Sequence, residues 1–183
     1  MVIEKKRFVF LDRDGVVIES RIQRGKPIAI SQHSEVKILN GVIDAVDLLI
    51  EANYELVVVT NQPDISKGTL SWGELRNIHM EISKWTKLES FYVCPHTESD
   101  SCLCRKPRPG LLLRAAEDFD IDLSNSYLVG DRWRDVEAGQ AAGCKCFFID
   151  NGYWEKKPVP PFDHVDSLFH AATIILSEDN LVT

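Results

Sequence analysis

Short apolar runs rich in β-branched and aromatic residues alternate along this chain with stretches of helical period. Five runs, RFVFL (7–11), YELVVVT (54–60), SFYVC (90–94), SYLVG (126–130) and CFFID (146–150), are bounded by turn or polar residues, which predicts five strands. Between the first two, NGVIDAVDLLIEAN puts Val42, Val46, Leu49 and Ile50 on one helical face, with Asn40 as its cap. The next helix opens at SWGE, where Ser71 and Glu74 have capping-box spacing, and turns Leu75, Ile78, Ile82 and Trp85 inward. Two shorter helices are predicted near 109–119 and 132–142, the second stopped by Gly143. A last amphipathic helix carries Val165, Leu168, Phe169, Ala172 and Leu176. The prolines of WEKKPVPPFD can continue neither a helix nor a central strand, so that segment reads as a surface linker. Alternating strands and helices predict one α/β domain over residues 1–183, an open, doubly wound, Rossmann-like parallel sheet.

Composition narrows the functional classes. A length of 183 residues with 44% apolar content suits a single core of ordinary size. The net charge of −7 argues against broad nucleic-acid binding, which depends on basic residues neutralising phosphates. The opening MVIEKKRF is charged and has no apolar h-region, and no later run approaches the ~18 apolar residues of a membrane span. Five cysteines are an odd set, with three crowded at Cys94, Cys102 and Cys104, which suggests a reducing compartment and metal ligation. A cytoplasmic protein with a small-molecule partner is expected; the sequence carries no signal for oligomeric state.

In open α/β sheets ligands bind beyond the carboxyl ends of the strands. Applied here, the rule brings Asp12 and Asp14, Thr60 with Asn61 and Gln62, and Asp131 and Asp135 to one edge, with Lys106 of CRKPRPG in a loop able to reach it. Taken singly, each acid reads as a turn or cap residue, Thr60 as a strand-end hydroxyl and Lys106 as a solvated charge. Together, carboxylates crowded at one edge repel one another unless they share a hard cation such as Mg²⁺. Thr60 and Lys106 supply a donor and a positive charge for phosphoryl oxygens. One carboxylate can then attack phosphorus while the other protonates the leaving oxygen and later deprotonates water. Asp135 retains the alternative of capping its helix.

A second group, in CPHTESDSCLCRKP, is Cys94, His96, Cys102 and Cys104. Three thiolates and one imidazole suit tetrahedral Zn²⁺ with no open position, hence a structural ion that staples the loop and fixes Arg105 and Lys106. The alternative is a buried strand-end Cys94 with incidental neighbours. Cys144 and Cys146 read as buried packing, and His33, His79, His164 and His170 have no evident partners.

At these residues the chain resembles the haloacid dehalogenase superfamily of phosphohydrolases. DRDGV matches its D-x-D-G-[TV] motif, Thr60 its strand-end threonine, Lys106 its lysine and GDRWRD its acidic metal motif. The resemblance implies Asp12 as nucleophile and Mg²⁺ ligand, and Asp14 as acid/base that also lends its carbonyl to the ion. Asp131 is implied as the second side-chain ligand, with Asp135 behind it, orienting the others. The zinc loop resembles that of the histidinol-phosphate and heptose-bisphosphate phosphatase branch, whose members lack a large cap. The pocket would then be shaped by loops near 19–35, 61–70 and 94–110, with Asn61, Arg105 and Arg132 as substrate contacts and Arg108 and Arg134 solvated. TNQPDISKG and the stretch from CRKP to VGD lean towards the heptose-bisphosphate enzymes. The five residues between His96 and the C-x-C lean towards the histidinol-phosphate ones. A zinc-stapled module that binds phosphate without turnover is the reading from another class.

Overall fold

The computed structural model describes residues 7–179, so the first six residues of the charged N-terminal segment lie outside the description. In chain order the elements are β1 (Arg7–Leu11), the short β2 (Arg21–Gln23) and β3 (Lys26–Ile28), α1 (Val42–Glu51), β4 (Tyr54–Asn61), α2 (Trp72–Thr86) and β5 (Ser90–Cys94). These are followed by α3 (Gly110–Phe119), β6 (Tyr127–Gly130), α4 (Trp133–Ala142), β7 (Lys145–Ile149), β8 (Asp163–Val165) and α5 (Leu168–Asp179). Six strands form a parallel sheet in the order β5-β4-β1-β6-β7-β8.

Burial on both faces explains why these strands read as continuous apolar runs. Val9 and Leu11 of β1 enter one core with α1, α2 and α5, whereas Phe8 and Phe10 enter the other with α3 and α4. The sheet is therefore doubly wound, as expected. The chain leaves β1 towards β4 and β5, then returns to β6 and proceeds the opposite way. The crevice of a doubly wound sheet lies where that direction reverses, here between β1 and β6.

Several local expectations are corrected. Val165 belongs to β8, a sixth strand paired with β7, and the preceding proline segment leads into it. The region 19–35 contains the β2–β3 hairpin, whose turn residues Arg24 (φ 51°) and Gly25 (φ 72°) are left-handed. Gly41, and not Asn40, stands at the N-cap of α1. Ile50 is 41% exposed and Trp85 is 53% exposed, the latter donating its indole N–H to Glu81 at 2.7 Å. In α5 the inward residues are Leu168, Ala171, Ala172 and Ile175, while Phe169 lies at the surface. Ser71 does accept the Glu74 N–H at 3.0 Å, but the Glu74 carboxylate goes to His33 instead of closing a capping box. Among the described residues no helix is long and apolar enough to cross a membrane.

Candidate active site

The two central strands carry the first acids. The Asp12 N–H continues the β1–β6 ladder by donating to the Val129 carbonyl at 3.0 Å, which places its side chain beside Asp131 at the end of β6. Asp12, Asp131 and Asp135 are all buried, and each offers a carboxylate oxygen within 4.8 Å of the others. Burial, reinforced by the Asp135 charge, pushes the Asp12 carboxyl up to about 7 despite the opposing Lys106 charge. Burial likewise drives Asp131 well above the ordinary carboxylate range, with Asp12 and Asp135 adding to it.

Asp131 supplies the observation that tests for a cation. Its Oδ2 accepts from the Tyr153 hydroxyl at 2.7 Å and the Asn151 amide at 3.0 Å, whereas its Oδ1 is buried with no hydrogen-bond partner. A buried anionic oxygen without a donor is costly. Clustered with two further carboxylates, it fits an oxygen-seeking ion such as Mg²⁺. Gly15 makes room for this acid: its φ is +85°, and a Cβ there would fall 1.8 Å from Asp131 Oδ2.

Asp135 meets both of its readings. Its Oδ1 pairs with Lys106 Nζ at 2.6 Å, and its Oδ2 accepts the Arg132 N–H at 2.9 Å at the start of α4. Lys106 is buried, and its amine donates to Asp12 at 2.8 Å and to the Val59 carbonyl at 2.8 Å. Burial alone would lower the lysine pKa, but Asp12 and Asp135 outweigh it and raise it, so the amine stays charged. Asn61 clasps the Lys106 backbone from both sides, donating to its carbonyl and accepting its N–H, each at 3.1 Å. The amide predicted to touch substrate thus also positions the lysine. Thr60 is buried, and its oxygen accepts from Gln62 at 2.8 Å, which leaves the hydroxyl proton for an acceptor in the site.

Asp14 stands apart from the three clustered carboxylates and is partly exposed to the cavity. Its carboxylate accepts from Arg13 Nε and Nη2, both at 3.1 Å, and from Gln62 at 2.9 Å. Arg13 is fully buried and reaches His79 Nε2 at 3.4 Å, and the His79 ring stacks on Phe91 with centroids 4.2 Å apart. Sequence reasoning missed Arg13, because an arginine between two acids reads as solvated, and wrongly left His79 without a partner. Burial, aided by the Arg13 charge, lowers His79 to about 3, so the folded imidazole is a neutral acceptor. The unfolded chain protonates it near the ordinary 6.5, so this group withdraws stability as pH falls from about 6.5 towards 3. His79→Gln keeps an acceptor for Arg13 but cannot titrate. Between pH 7 and pH 5 the wild type should lose about 1–2 kcal/mol more stability than this variant, read from urea midpoints. Equal losses would refute the neutral buried histidine.

Above the acids lies a cavity of about 360 Å³, walled by Pro27, Ile28 and Ala29 from the hairpin end, by Pro63, Asp64 and Lys67, and by Arg105, Arg132 and Arg134. All three loop regions expected to shape the pocket do so. Arg134, expected to be solvated, lines the cavity and pairs with Glu98. Arg132 is held by Glu155, with its Nε 3.1 Å from each carboxylate oxygen. Arg105 donates to the His96 carbonyl at 3.0 Å and keeps a buried Nε–H without a partner. Arg108 is exposed, yet it donates to the Cys102 carbonyl.

Cys94, His96, Cys102 and Cys104 converge as read from the sequence. Cys104 Sγ lies 3.3 Å from Cys94 Sγ, 3.5 Å from Cys102 Sγ and 3.2 Å from His96 Nδ1, and Cys94 Sγ lies 3.7 Å from Cys102 Sγ. Tetrahedral bonds of about 2.3 Å place two sulfurs roughly 3.8 Å apart, so the four atoms sit close to the corners that Zn²⁺ requires. Cys144 and Cys146 are buried free thiols, pushed up to about 12 chiefly by burial, and are inert at neutral pH.

Comparison with known proteins agrees with this geometry. A family model described as HAD-hydrolase-like matches residues 103–169. The chain is 30% identical over 155 residues to D-glycero-beta-D-manno-heptose-1,7-bisphosphate 7-phosphatase of Bordetella bronchiseptica, covering 82% of this chain and 84% of the relative. The enzyme of the same name from Escherichia coli K12 is 35% identical over 147 residues, 73% of each chain. A crystal structure of the B. bronchiseptica D,D-heptose 1,7-bisphosphate phosphatase, complexed with magnesium and phosphate, superposes with a TM-score of 0.83 at 28% identity. The match covers 94% of this chain and 99% of that one. A putative HAD-like phosphatase from Mesorhizobium loti shares the fold with a TM-score of 0.78 at 22% identity.

Proposed function

The chain belongs to the haloacid dehalogenase-like phosphatases, on the heptose-bisphosphate branch, and from that membership we propose that it removes the 7-phosphate from a heptose 1,7-bisphosphate. The observation that carries the chemistry is the buried Asp12–Asp131–Asp135 cluster, with an unpartnered Asp131 oxygen and with Lys106 against Asp12. Mg²⁺ would be held by the side chains of Asp12 and Asp131 and the Asp14 carbonyl, with Asp135 orienting them, and it would neutralise the acids and the phosphoryl oxygens.

Asp12 attacks phosphorus and forms an aspartyl-phosphate as the bond to the sugar oxygen breaks. Asp14, once turned from Arg13 into the cavity and carrying a proton, gives it to that oxygen, then takes one from the water that hydrolyses the acyl phosphate, so the enzyme returns to its starting state. Thr60 and Lys106 hold phosphoryl oxygens, while Asn61, through the Lys106 backbone, keeps the amine on target. Arg105, whose buried Nε–H lacks an acceptor, and Arg132 face the remainder of the substrate. The Cys94, His96, Cys102 and Cys104 cluster would hold a structural Zn²⁺, which would staple the loop. One domain acting in the cytoplasm, where its free thiols stay reduced, completes the reading.

The cationic rim favours a bisphosphate over histidinol phosphate, whose amine would face Arg105 and Arg132. Phosphate release from heptose 1,7-bisphosphate, heptose 7-phosphate and histidinol phosphate should be compared side by side with Mg²⁺. A charged hydrogen bond to the second phosphate contributes roughly 1.5–3 kcal/mol, so the bisphosphate should lead by about 10-fold or more in kcat/KM. EDTA should stop release. A histidinol-phosphate preference would overturn the substrate, and an absence of release from all three would favour the binding module.

A further inference from the structure

The segment after β7 touches two places that the chemistry treats separately. Tyr153 is buried, and its single hydroxyl proton goes to Asp131 Oδ2 at 2.7 Å. The Tyr153 hydroxyl oxygen must therefore accept from Ser20 Oγ, 2.8 Å away at the foot of the β2–β3 hairpin. One residue on, the Trp154 N–H donates to the Gly25 carbonyl in the hairpin turn at 2.7 Å. The Trp154 ring lies against that turn so closely that a Cβ at Gly25 would meet Cδ2 at 2.2 Å. Asn151, at the start of the segment, adds the second donor to Asp131 Oδ2 and also donates to the Gly15 carbonyl at 3.1 Å. The hairpin end supplies one wall of the cavity.

We propose that Tyr153 is a positioning residue that joins the metal acid Asp131 to the pocket hairpin, so that Mg²⁺ binding and hairpin docking reinforce each other. By donating to Oδ2, Tyr153 and Asn151 fix the carboxylate and leave Oδ1 as its buried oxygen without a partner. A cation on Oδ1 restrains Asp131, hence Tyr153, hence Ser20 and the hairpin base. Linkage requires the reverse: a docked hairpin raises affinity for the ion. The Tyr153 hydroxyl is the participant common to the Asp131 and Ser20 hydrogen bonds, and the Trp154 N–H bond to Gly25 holds the same segment to the hairpin turn alongside it. This inference rests on the reading that the acid cluster holds Mg²⁺.

The test uses the full-length, zinc-loaded protein and needs no turnover. Calorimetric titration with Mg²⁺ is paired with hydrogen exchange over residues 20–28, with and without the ion. In the wild type, Mg²⁺ should slow exchange across the hairpin. Tyr153→Phe should weaken Mg²⁺ binding on the order of 10-fold, the scale for groups that orient a metal ligand, and should abolish the ion's effect on exchange at the hairpin base, residues 20–22. Ser20→Ala keeps the donor on Asp131 and leaves Trp154 on the Gly25 turn while removing the bond at the hairpin base, so it should bind Mg²⁺ within about 3-fold of wild type yet lose the ion-dependent protection of residues 20–22. Wild-type protein that binds Mg²⁺ with unchanged hairpin exchange would overturn the coupling while leaving the metal reading intact. So would a Tyr153→Phe variant with wild-type affinity and protection. Wild-type protein that fails to bind Mg²⁺ would overturn the metal reading, and this inference with it.

Discussion

Asp12→Asn should abolish phosphate release, on the order of 10⁴-fold or more, while leaving the fold in place. The amide is no nucleophile, and Asp135, the other carboxylate beside Lys106, is held at the start of α4 by the Arg132 N–H. Structure should survive because Lys106 retains Asp135 at 2.6 Å and the Val59 carbonyl at 2.8 Å. Without metal the variant should even be the more stable protein at alkaline pH. Burial, with Asp135 adding, holds the folded Asp12 pKa at about 7, against 3.8 for an ordinary aspartate. An acid with a raised folded pKa favours the fold at low pH and withdraws stability as pH rises through that value. Urea midpoints of metal-free protein should therefore favour Asp12→Asn at pH 8, with the gap narrowing at pH 5. Wild-type turnover in the variant would refute the nucleophile. A stability difference that does not narrow on acidification would refute the electrostatic account of the cluster.

Removing zinc should cost both stability and rate. The loop from Cys94 to Lys106 leans on the four-ligand cluster, and structural Zn²⁺ contributes folding free energy outright. Its effect reaches the chemistry along the chain: Cys104 precedes Arg105 and Lys106, and the Arg105 guanidinium is seated on the His96 carbonyl. Cys104→Ser, or treatment with a zinc chelator followed by resupply of Mg²⁺ alone, should lower kcat by about 10–100-fold, the scale for loss of groups that orient a reacting shell. The melting temperature should fall by several degrees. Elemental analysis should find about one zinc per wild-type chain. Zinc-free protein of undiminished rate and melting temperature would remove the staple.

How much of this was legible follows from which signals are local. β1 and β5 have the bounds read from their apolar runs, because strands buried on both faces announce themselves without context. The meeting of Asp12 with Asp131 was legible because strand-end placement is a topological rule, that of Lys106 because its loop can reach the same edge, and the Cys94, His96, Cys102 and Cys104 cluster because its spacing is compact. The hairpin was hidden by its exposure: Arg21, Ile22 and Gln23 are all at the surface, so no alternation marks them. A turn signal was present in Arg24-Gly25, between Ile22 and Ile28. β8 escaped notice because three residues after a proline run carry almost no pattern, and it forms only by pairing with β7. Arg13 and Tyr153 could not be assigned from their neighbours in sequence. Arg13 pairs with the adjacent Asp14, but His79 and, for Tyr153, Asp131 are far away along the chain, and only the closed fold makes a buried arginine or a buried phenol informative.

One wall of the cavity is the end of a two-stranded hairpin, so each cycle has little chain to rearrange there. Admission and egress order a few turn residues, at about 1–2 kcal/mol apiece, with no rotation of one body against another. A shallow vestibule also admits bulk solvent beside the acyl phosphate, which would ruin a transferase by squandering its cargo. For a hydrolase water is the second reactant, and a door left ajar to it is no defect.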